Sequence, residues 1–230
     1  MNFEFHYFAF QIFPYIALVF LMFGSIVRFD RDPYSWRSKS SQILRRHKQF
    51  IWGSALFHIG ILIILFGHLV GLSTPIWVFD MMGVSHTIKQ LMAIVIGGIA
   101  GVLALIGLIL LIHRRLFDDR VRANSSFWDI AILFFLLAQL LLGLYTIPAS
   151  LRHLDGHEMV KYMNWVQHII TFRPGAAEFI RNVPWQFQAH IVLGLTIFIV
   201  FPFTRLVHFW SAPFLYLFRR QYQIVRKRET

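Results

Sequence analysis

Long apolar stretches that contain no Asp, Glu, Lys or Arg alternate along the chain with short charged segments. Five of these stretches reach the length of about 20 apolar residues that an α-helix needs to cross about 30 Å of hydrocarbon. Because lipid offers the backbone no hydrogen-bond partners, each stretch must be helical. The pattern predicts an all-α, polytopic membrane bundle of five transmembrane helices, at about 5–27, 50–72, 90–112, 128–150 and 183–208.

The composition supports one membrane domain over residues 1–230, ending in a basic tail at 209–230. Hydrophobic residues make up 57% of the chain and charged residues 14%, whereas a soluble domain carries about a quarter charged residues. No room is left for a soluble catalytic domain. The chain has no cysteine, which excludes an iron–sulfur cluster and covalent haem attachment in this chain.

The basic residues are distributed unequally between the two sides of the predicted bundle, with 17 of the 22 on one side. The positive-inside rule then places the N-terminus outside and the C-terminus in the cytoplasm. Most of the net charge of +11 is expected on the cytoplasmic face. This face either attracts anionic lipid headgroups or docks cytoplasmic partner subunits. Nucleic acid is not an expected partner, because such binding needs basic residues on a folded soluble surface.

The longest predicted loop, residues 152–181, lies on the outer side. Within it, Met159, Met163, Val166 and Ile170 recur at helical spacing, which predicts a short amphipathic helix at the membrane interface. It is either a lid over a lipid-accessible pocket or a plain connection.

Four histidines lie in or at the end of two of the apolar stretches. Ionisable residues inside a membrane are costly and are functional candidates by default. One such histidine is readily a core residue with a satisfied hydrogen bond, but four on two helices favour a site. They are His58 and His68 on the second helix, and His190 and His208 on the fifth.

The two helices are antiparallel, so the histidines match in level as His58 with His208 (inner) and His68 with His190 (outer). The two on the second helix lie about 15 Å apart along its axis. In a continuous fifth helix, the 18-residue step returns His208 to the face of His190. Pro202 lies between them and should bend the helix. The arrangement predicts two planar ligands at different heights.

Two imidazoles per level make a poor zinc site, since zinc takes four ligands. A haem iron already has four pyrrole nitrogens and needs two axial ligands. We therefore expect two non-covalent b haems, no zinc, and no open iron position for oxygen chemistry. Such a pair suits electron transfer across the membrane.

Glycines on the second and third helices have two interpretations. Gly53, Gly60 and Gly67 form either a side-chain-free strip for a flat macrocycle or a helix contact. Gly97 and Gly101 form a small-xxx-small pair, which usually means close helix packing.

At these residues the sequence resembles a known family. Segments FHIGILIILFGHLVGLSTP and HIVLGLTIFIVFPFTRLVHFWSAPFLYL resemble the second and fifth helices of the gamma subunit of membrane-bound respiratory nitrate reductase. Segments RRLFDDRVRANSSFWDI and DGHEMVKYMNWVQHIITF resemble its inner and outer loops. The likeness covers nearly the whole chain, and in that family the four matching histidines ligate two b haems.

The resemblance implies a multi-pass protein of the cytoplasmic membrane that oxidises a quinol near the outer haem. Electrons then pass inward to an iron–sulfur beta subunit and a molybdenum-containing alpha subunit, which reduces nitrate. Lys89 matches a quinol-site lysine of the family; by itself it would be interpreted as a snorkelling residue. Gly67 is expected to let the quinol ring approach. Arg205 and Arg114 are either propionate partners or, as we favour, ordinary inner-side cations.

Two other functions fit the pattern less well. One is a related di-haem, quinol-linked subunit of a sulfur- or heterodisulfide-reductase complex. The other is a non-redox membrane anchor or a transporter. Transporters often show repeated halves or broken helices, and the sequence shows no such repeat.

Overall fold

The computed structural model describes residues 3–36, 48–152 and 154–211. Five helices in these ranges are long and apolar enough to cross a membrane, which confirms the predicted fold class and number of spans. Four basic residues of the predicted inner segment, and residues 212–230 of the predicted basic tail, lie outside the described residues.

The helices are numbered in chain order. The five membrane helices are α1 (Glu4–Arg31), α2 (Lys48–Ser73), α4 (His86–Phe117), α6 (Phe127–Leu151) and α9 (Trp185–Val200). Shorter helices connect them: α3 (Ile76–Met81), α5 (Asp119–Ala123), α7 (His157–Ile170) and α8 (Ala176–Ile180). Polar side chains cap several of them, such as Ser85 before α4 and a reciprocal Ser126–Asp129 capping box at the start of α6.

The membrane helices pack in the order α2, α4, α6, α9 and α1, each mainly against the next. Helices α2 and α9 are thus separated by two others in the packing order, yet both present histidines toward one another. These four helices form a partial ring. The imidazole rings approach each other across the gap between its two ends, where the backbones do not pack closely, and the site lies in this gap.

The crossing of α2 and α4 depends on residues without side chains. A Cβ at Gly107 would lie 2.3 Å from the Phe57 nitrogen and 2.7 Å from the Gly53 oxygen, and one at Gly60 would lie 2.5 Å from the Ala100 oxygen. No side chain fits there unless the backbones separate. Gly53 and Gly60 therefore form a helix contact, and the interpretation of these two as a strip for a macrocycle was wrong.

The third glycine of that set is Gly67, and no atom of the described residues would lie within 4 Å of a Cβ there. The same is true of Gly97, whereas a Cβ at Gly101 would meet only the flexible end of Leu144, at 2.8 Å. The close packing expected of the Gly97–Gly101 pair is thus provided elsewhere on α4.

The fifth membrane helix ends at Val200, eight residues earlier than the sequence predicted. Pro202 has no N–H group and cannot continue the helical ladder. The chain continues as a 3₁₀ turn at Phe201–Phe203, is extended at Thr204, and forms a second 3₁₀ turn at Arg205–Phe209. The expectation of one continuous helix to residue 208 was wrong, and the bend expected at Pro202 is a full break.

The 152–181 loop is folded, and the predicted amphipathic helix is confirmed as α7. Its buried residues are Met163, Trp165 and Ile169, whereas Ile170 is exposed, so only part of the predicted stripe faces inward. The Trp165 indole nitrogen donates 2.8 Å to the Phe10 oxygen, in a π-helical turn of α1 at Phe8–Ile12. The loop is therefore a packed cap tied to α1.

Candidate functional site

Two pairs of imidazole rings face each other between α2 and the α9 segment. The ring centroids of His58 and His208 lie 6.1 Å apart, and those of His68 and His190 lie 6.2 Å apart. These are the partners that the antiparallel alignment predicted. The break after Val200 does not prevent the first pair, because the second 3₁₀ turn returns His208 toward α2.

Hydrogen bonds orient three of the four rings. The Nδ1 atoms lie 2.7 Å, 2.8 Å and 2.5 Å from main-chain oxygens of Ser54, Ile64 and Arg205, for His58, His68 and His208 respectively. A carbonyl accepts only from a protonated nitrogen, so Nδ1 carries a hydrogen and Nε2 is the nitrogen left to bind a metal. Metal-bound histidines show this same arrangement, in which one nitrogen donates to a carbonyl and the other binds the metal.

His190 is oriented differently, through a residue that the sequence analysis missed. The Gln139 side-chain nitrogen on α6 donates to the His190 oxygen at 3.1 Å and lies 3.3 Å from His190 Nε2. His190 Nδ1 is buried without a hydrogen-bond partner among the described residues. A Cβ at Gly143 would lie 3.1 Å from the ring, so the ring occupies space that this glycine leaves open.

The ring separations leave room for one metal between the two imidazoles of each pair. Metal–nitrogen bonds are about 2.0–2.1 Å long, and each ring adds about 1 Å between its centroid and the bound nitrogen, so two rings that bind one metal have centroids about 6 Å apart. Among the described residues, no third His, Cys, Asp or Glu joins either pair in a group that could hold a metal ion by itself. The donor set fits a metal that brings its own four equatorial ligands.

A buried ion pair lies next to His208. Arg205 Nε is 3.0 Å from Asp129 Oδ1, and both side chains are at most 8% exposed. Because Arg205 also provides the oxygen that accepts from His208, Asp129 helps to hold the turn that presents this ring. Arg114 is also buried, with its guanidinium 4.6 Å from the centroid of the Phe50 ring. Arg114 Nε and Nη2 are buried without a hydrogen-bond partner among the described residues, so both interpretations of these two arginines stay open.

Lys89 lies at the other end of the bundle and is only 7% exposed, whereas a snorkelling lysine would extend into water. Its Nζ is 3.0 Å from Met163 Sδ and 3.9 Å from the centroid of the Phe79 ring. A thioether is a weak acceptor, so the ammonium keeps donor capacity for a further polar group. Sequence analysis missed Phe79 and the role of Met163, because both meet Lys89 only in the fold.

Helix α7 contacts both Lys89 and the ends of the two helices that carry His68 and His190. Gln167 donates 3.1 Å to the Thr74 oxygen, just beyond the end of α2, and the Tyr162 ring stacks on Phe187 at 5.1 Å. Phe187 precedes His190 by three residues, so α7 bridges the ends of both histidine helices. Met163, which contacts Lys89, lies between these two tethers.

Three further polar atoms at this end are buried without a partner among the described residues: Tyr162 Oη, Glu158 Oε2 and His86 Nδ1. Burial first, and the nearby Glu158 carboxylate second, raise the pKa of Tyr162 above its ordinary value. The phenol therefore remains protonated at physiological pH and keeps a hydrogen to donate. Tyr162 and Glu158 belong to α7, whereas His86 and Lys89 belong to the first turn of α4, so two elements contribute buried polar groups at this end of the bundle.

Comparison with known proteins gives a consistent result. The sequence profile of the nitrate reductase gamma subunit family matches residues 6–228. The respiratory nitrate reductase 2 gamma chain of Escherichia coli is 53% identical over 221 residues, which cover 96% of each chain. The nitrate reductase gamma chain of Bacillus subtilis is 40% identical over 94% of this chain and 96% of its own. An Hdr-like menaquinol oxidoreductase cytochrome b-like subunit of Archaeoglobus profundus is 28% identical over 72% of this chain and 49% of its own.

Proposed function

The chain belongs to the nitrate reductase gamma subunit family, the di-haem quinol-oxidising membrane subunits of respiratory nitrate reductase, and on that premise we propose which residues perform each task. His58 and His208 hold the inner b haem, and His68 and His190 hold the outer one. The observation that carries this assignment is the pair of ring separations, 6.1 Å and 6.2 Å, which suit an iron between two imidazoles.

When bound, two such haems at different depths carry single electrons across the membrane. The chain's own residues bind and orient them. Carbonyls of Ser54, Ile64 and Arg205 fix the nitrogen that each ring presents, and Gln139 with Gly143 gives His190 its place. Because two imidazoles would hold each haem iron, no position would be left for oxygen to bind, and the bound haems would supply electron transfer rather than oxygen activation.

Quinol is expected to bind under α7 beside the outer pair. The Lys89 ammonium is positioned to donate a hydrogen bond to a quinol oxygen and to stabilise the negative charge that develops as its proton leaves. Gly67 has open space beside it next to His68, which leaves room for a flat ring. The Tyr162 hydroxyl on α7 is a further buried donor, and it is uncharged.

Partner subunits complete the enzyme. A gamma chain implies the alpha and beta subunits of nitrate reductase; we assign iron–sulfur clusters to the beta subunit and molybdenum to the alpha subunit. The inner-side basic residues are expected to contact these subunits and anionic lipid headgroups. With quinol oxidised outside and electrons moving inward, each charge works against about 2.3 kcal/mol per 100 mV of membrane potential.

The orientation in this scheme, with the N-terminus outside, rests on the basic residues and is directly testable. The chain has no cysteine, so single cysteines introduced as Asp155→Cys and Asn124→Cys report opposite sides. In intact cells a membrane-impermeant maleimide should label the chain at 155, and at 124 only after permeabilisation. Labelling at 124 without permeabilisation would reverse the proposed direction of electron flow.

One second candidate has an observation in its favour, the partial likeness to the Hdr-like cytochrome b-like subunit. Its lower identity, and the coverage of about half of that relative, favour nitrate reductase. The acceptor separates the two complexes. In the purified complex, nitrate should reoxidise quinol-reduced haems within seconds, whereas a heterodisulfide should leave them reduced. The opposite result would assign the chain to the second complex.

A further inference from the structure

His208, the proposed inner ligand, lies in a short 3₁₀ turn and not in an α-helix. Beyond Val200 the chain passes through two 3₁₀ turns separated by the extended Thr204. Short 3₁₀ turns have poorer hydrogen-bond geometry than an α-helix, and carbonyls at a helix break need other partners. The position of His208 therefore depends on contacts from outside its own segment.

Arg28, near the inner end of α1, supplies such a contact. Its Nη1 atom donates to the Pro202 oxygen at 2.5 Å and to the Thr204 oxygen at 2.7 Å. Its Nε and Nη2 atoms donate to Ser35 Oγ at 2.9 Å and to the Ser35 oxygen at 3.3 Å. One guanidinium thus joins both sides of the break to the turn that follows α1.

Neighbouring residues of α1 hold the same segment. A Cβ at Gly24 would lie 2.7 Å from the Pro202 side chain, so α1 approaches the break as closely as a glycine permits. The Trp210 indole nitrogen lies 3.3 Å from Ser25 Oγ. Arg28 is therefore the central polar contact of an interface that runs along both sides of His208.

The contacts continue to the imidazole ring. Arg28 donates to the Thr204 oxygen. The residue after Thr204 is Arg205, whose main-chain oxygen accepts from His208 Nδ1. The Arg205 side chain is held by Asp129 of α6. Two elements distant in sequence, α1 and α6, thus converge on the carbonyl that orients the ring.

We propose that Arg28 is a positioning residue for the inner haem. It fixes the ligand His208 by binding the Pro202 and Thr204 carbonyls, which lie just beyond the end of α9. This inference rests on the proposed function, in which His208 is an axial ligand. Arg28 does not itself touch the reacting atoms. A guanidinium suits the task because its planar fork serves several acceptors at once, whereas a lysine ammonium is a compact charge without that geometry.

Four variants test the proposal. Arg28→Gln removes the charge and the fork, Arg28→Lys keeps the charge, and Ser35→Ala removes one partner that orients the guanidinium. Arg31→Gln is the matched control, since Arg31 lies one turn further along α1 and is exposed. Each is measured in the assembled complex by electron paramagnetic resonance of both haems, by redox-difference absorption and by the rate of nitrate-dependent reoxidation.

We expect Arg28→Gln and Arg28→Lys to shift the low-spin signal of the inner haem and leave that of the outer haem unchanged. Reoxidation should slow by about 10- to 100-fold, the usual effect of losing a group that orients a metal ligand. Ser35→Ala, which removes a half-buried hydroxyl at the protein surface and should fold normally, is expected to shift the same signal by less. Arg31→Gln should match the wild type.

Several results would overturn the proposal. One is an inner-haem signal unchanged in Ser35→Ala and in whichever Arg28 variants assemble. Another is full restoration by Arg28→Lys, which would show that only the charge matters. Equal loss of both haem signals would assign Arg28 to folding instead. Failure of the proposed function is distinguishable, because His208→Ala would then retain both haems.

Discussion

The His208→Ala variant is expected to lose one b haem completely and to retain the other. The ring lies 6.1 Å from that of His58, and a methyl group in its place offers the iron no axial nitrogen. The His68–His190 pair is separated from it by ten residues of α2, about 15 Å along the helix, so its contacts remain intact. Redox-difference absorption spectra of purified membranes should show half of the wild-type haem signal.

The four single variants sort into two pairs. His58→Ala should lose the same haem as His208→Ala, whereas His68→Ala and His190→Ala should lose the other. Midpoint potentials identify which haem remains in each case. In the two inner variants, quinol should still reduce the remaining haem but nitrate should no longer reoxidise it, because the electron has no relay to the partner subunits.

Matched controls come from two histidines that pair with no other imidazole among the described residues. His168 Nδ1 lies 2.8 Å from the Asn164 oxygen, one turn earlier, just as in His58 and His68. Its ring packs on Phe179 instead, so His168→Ala should keep both haems. His113, whose Nδ1 lies 3.0 Å from the Gln49 side chain, serves the same purpose at the inner end. Retention of both haems in any of the four ligand variants would refute that ligand's assignment.

The Lys89→Met variant should lose quinol oxidation while retaining both haems. Methionine replaces the ammonium by an apolar side chain of similar length, so the packing near Met163 and Phe79 is largely kept. Loss of one donor that stabilises a developing oxyanion costs about 10²- to 10³-fold in rate, or about 2.7–4 kcal/mol. We expect a fall of that size in nitrate reduction driven by quinol.

Comparing quinol with a second electron donor separates a loss of quinol oxidation from general damage to the enzyme. A water-soluble reductant that supplies the partner subunits directly should drive nitrate reduction at the wild-type rate in Lys89→Met. Lys161→Met is the control at the same end of the protein: Lys161 is partly exposed and pairs with Glu158 at 2.6 Å, so its loss should leave quinol oxidation nearly unchanged. A Lys89→Met enzyme that oxidises quinol normally would remove Lys89 from the site.

The membrane helices and the pairing of histidines were predictable because both depend on distances along one chain. The length of each apolar stretch determines whether it spans the bilayer, and antiparallel spans bring His58 level with His208 and His68 level with His190 whatever their neighbours. The resemblance to one family added Lys89, whose burial the sequence did not indicate. The amphipathic stripe of α7 was visible because that helix lies between two environments.

The contacts that hold these residues were decided by the tertiary structure alone. In lipid, an apolar residue gains nothing by turning inward, so periodicity does not show which face of a helix is covered. Gly53 and Gly60 were therefore open to two interpretations until α4 was seen against them. For the same reason Gln139 at His190, Met163 at Lys89 and Arg28 at the break were not foreseeable. Each is a contact between side chains or main-chain groups of elements distant in sequence, and it depends on how the helices rotate and cross. Composition and spacing describe each helix only by itself.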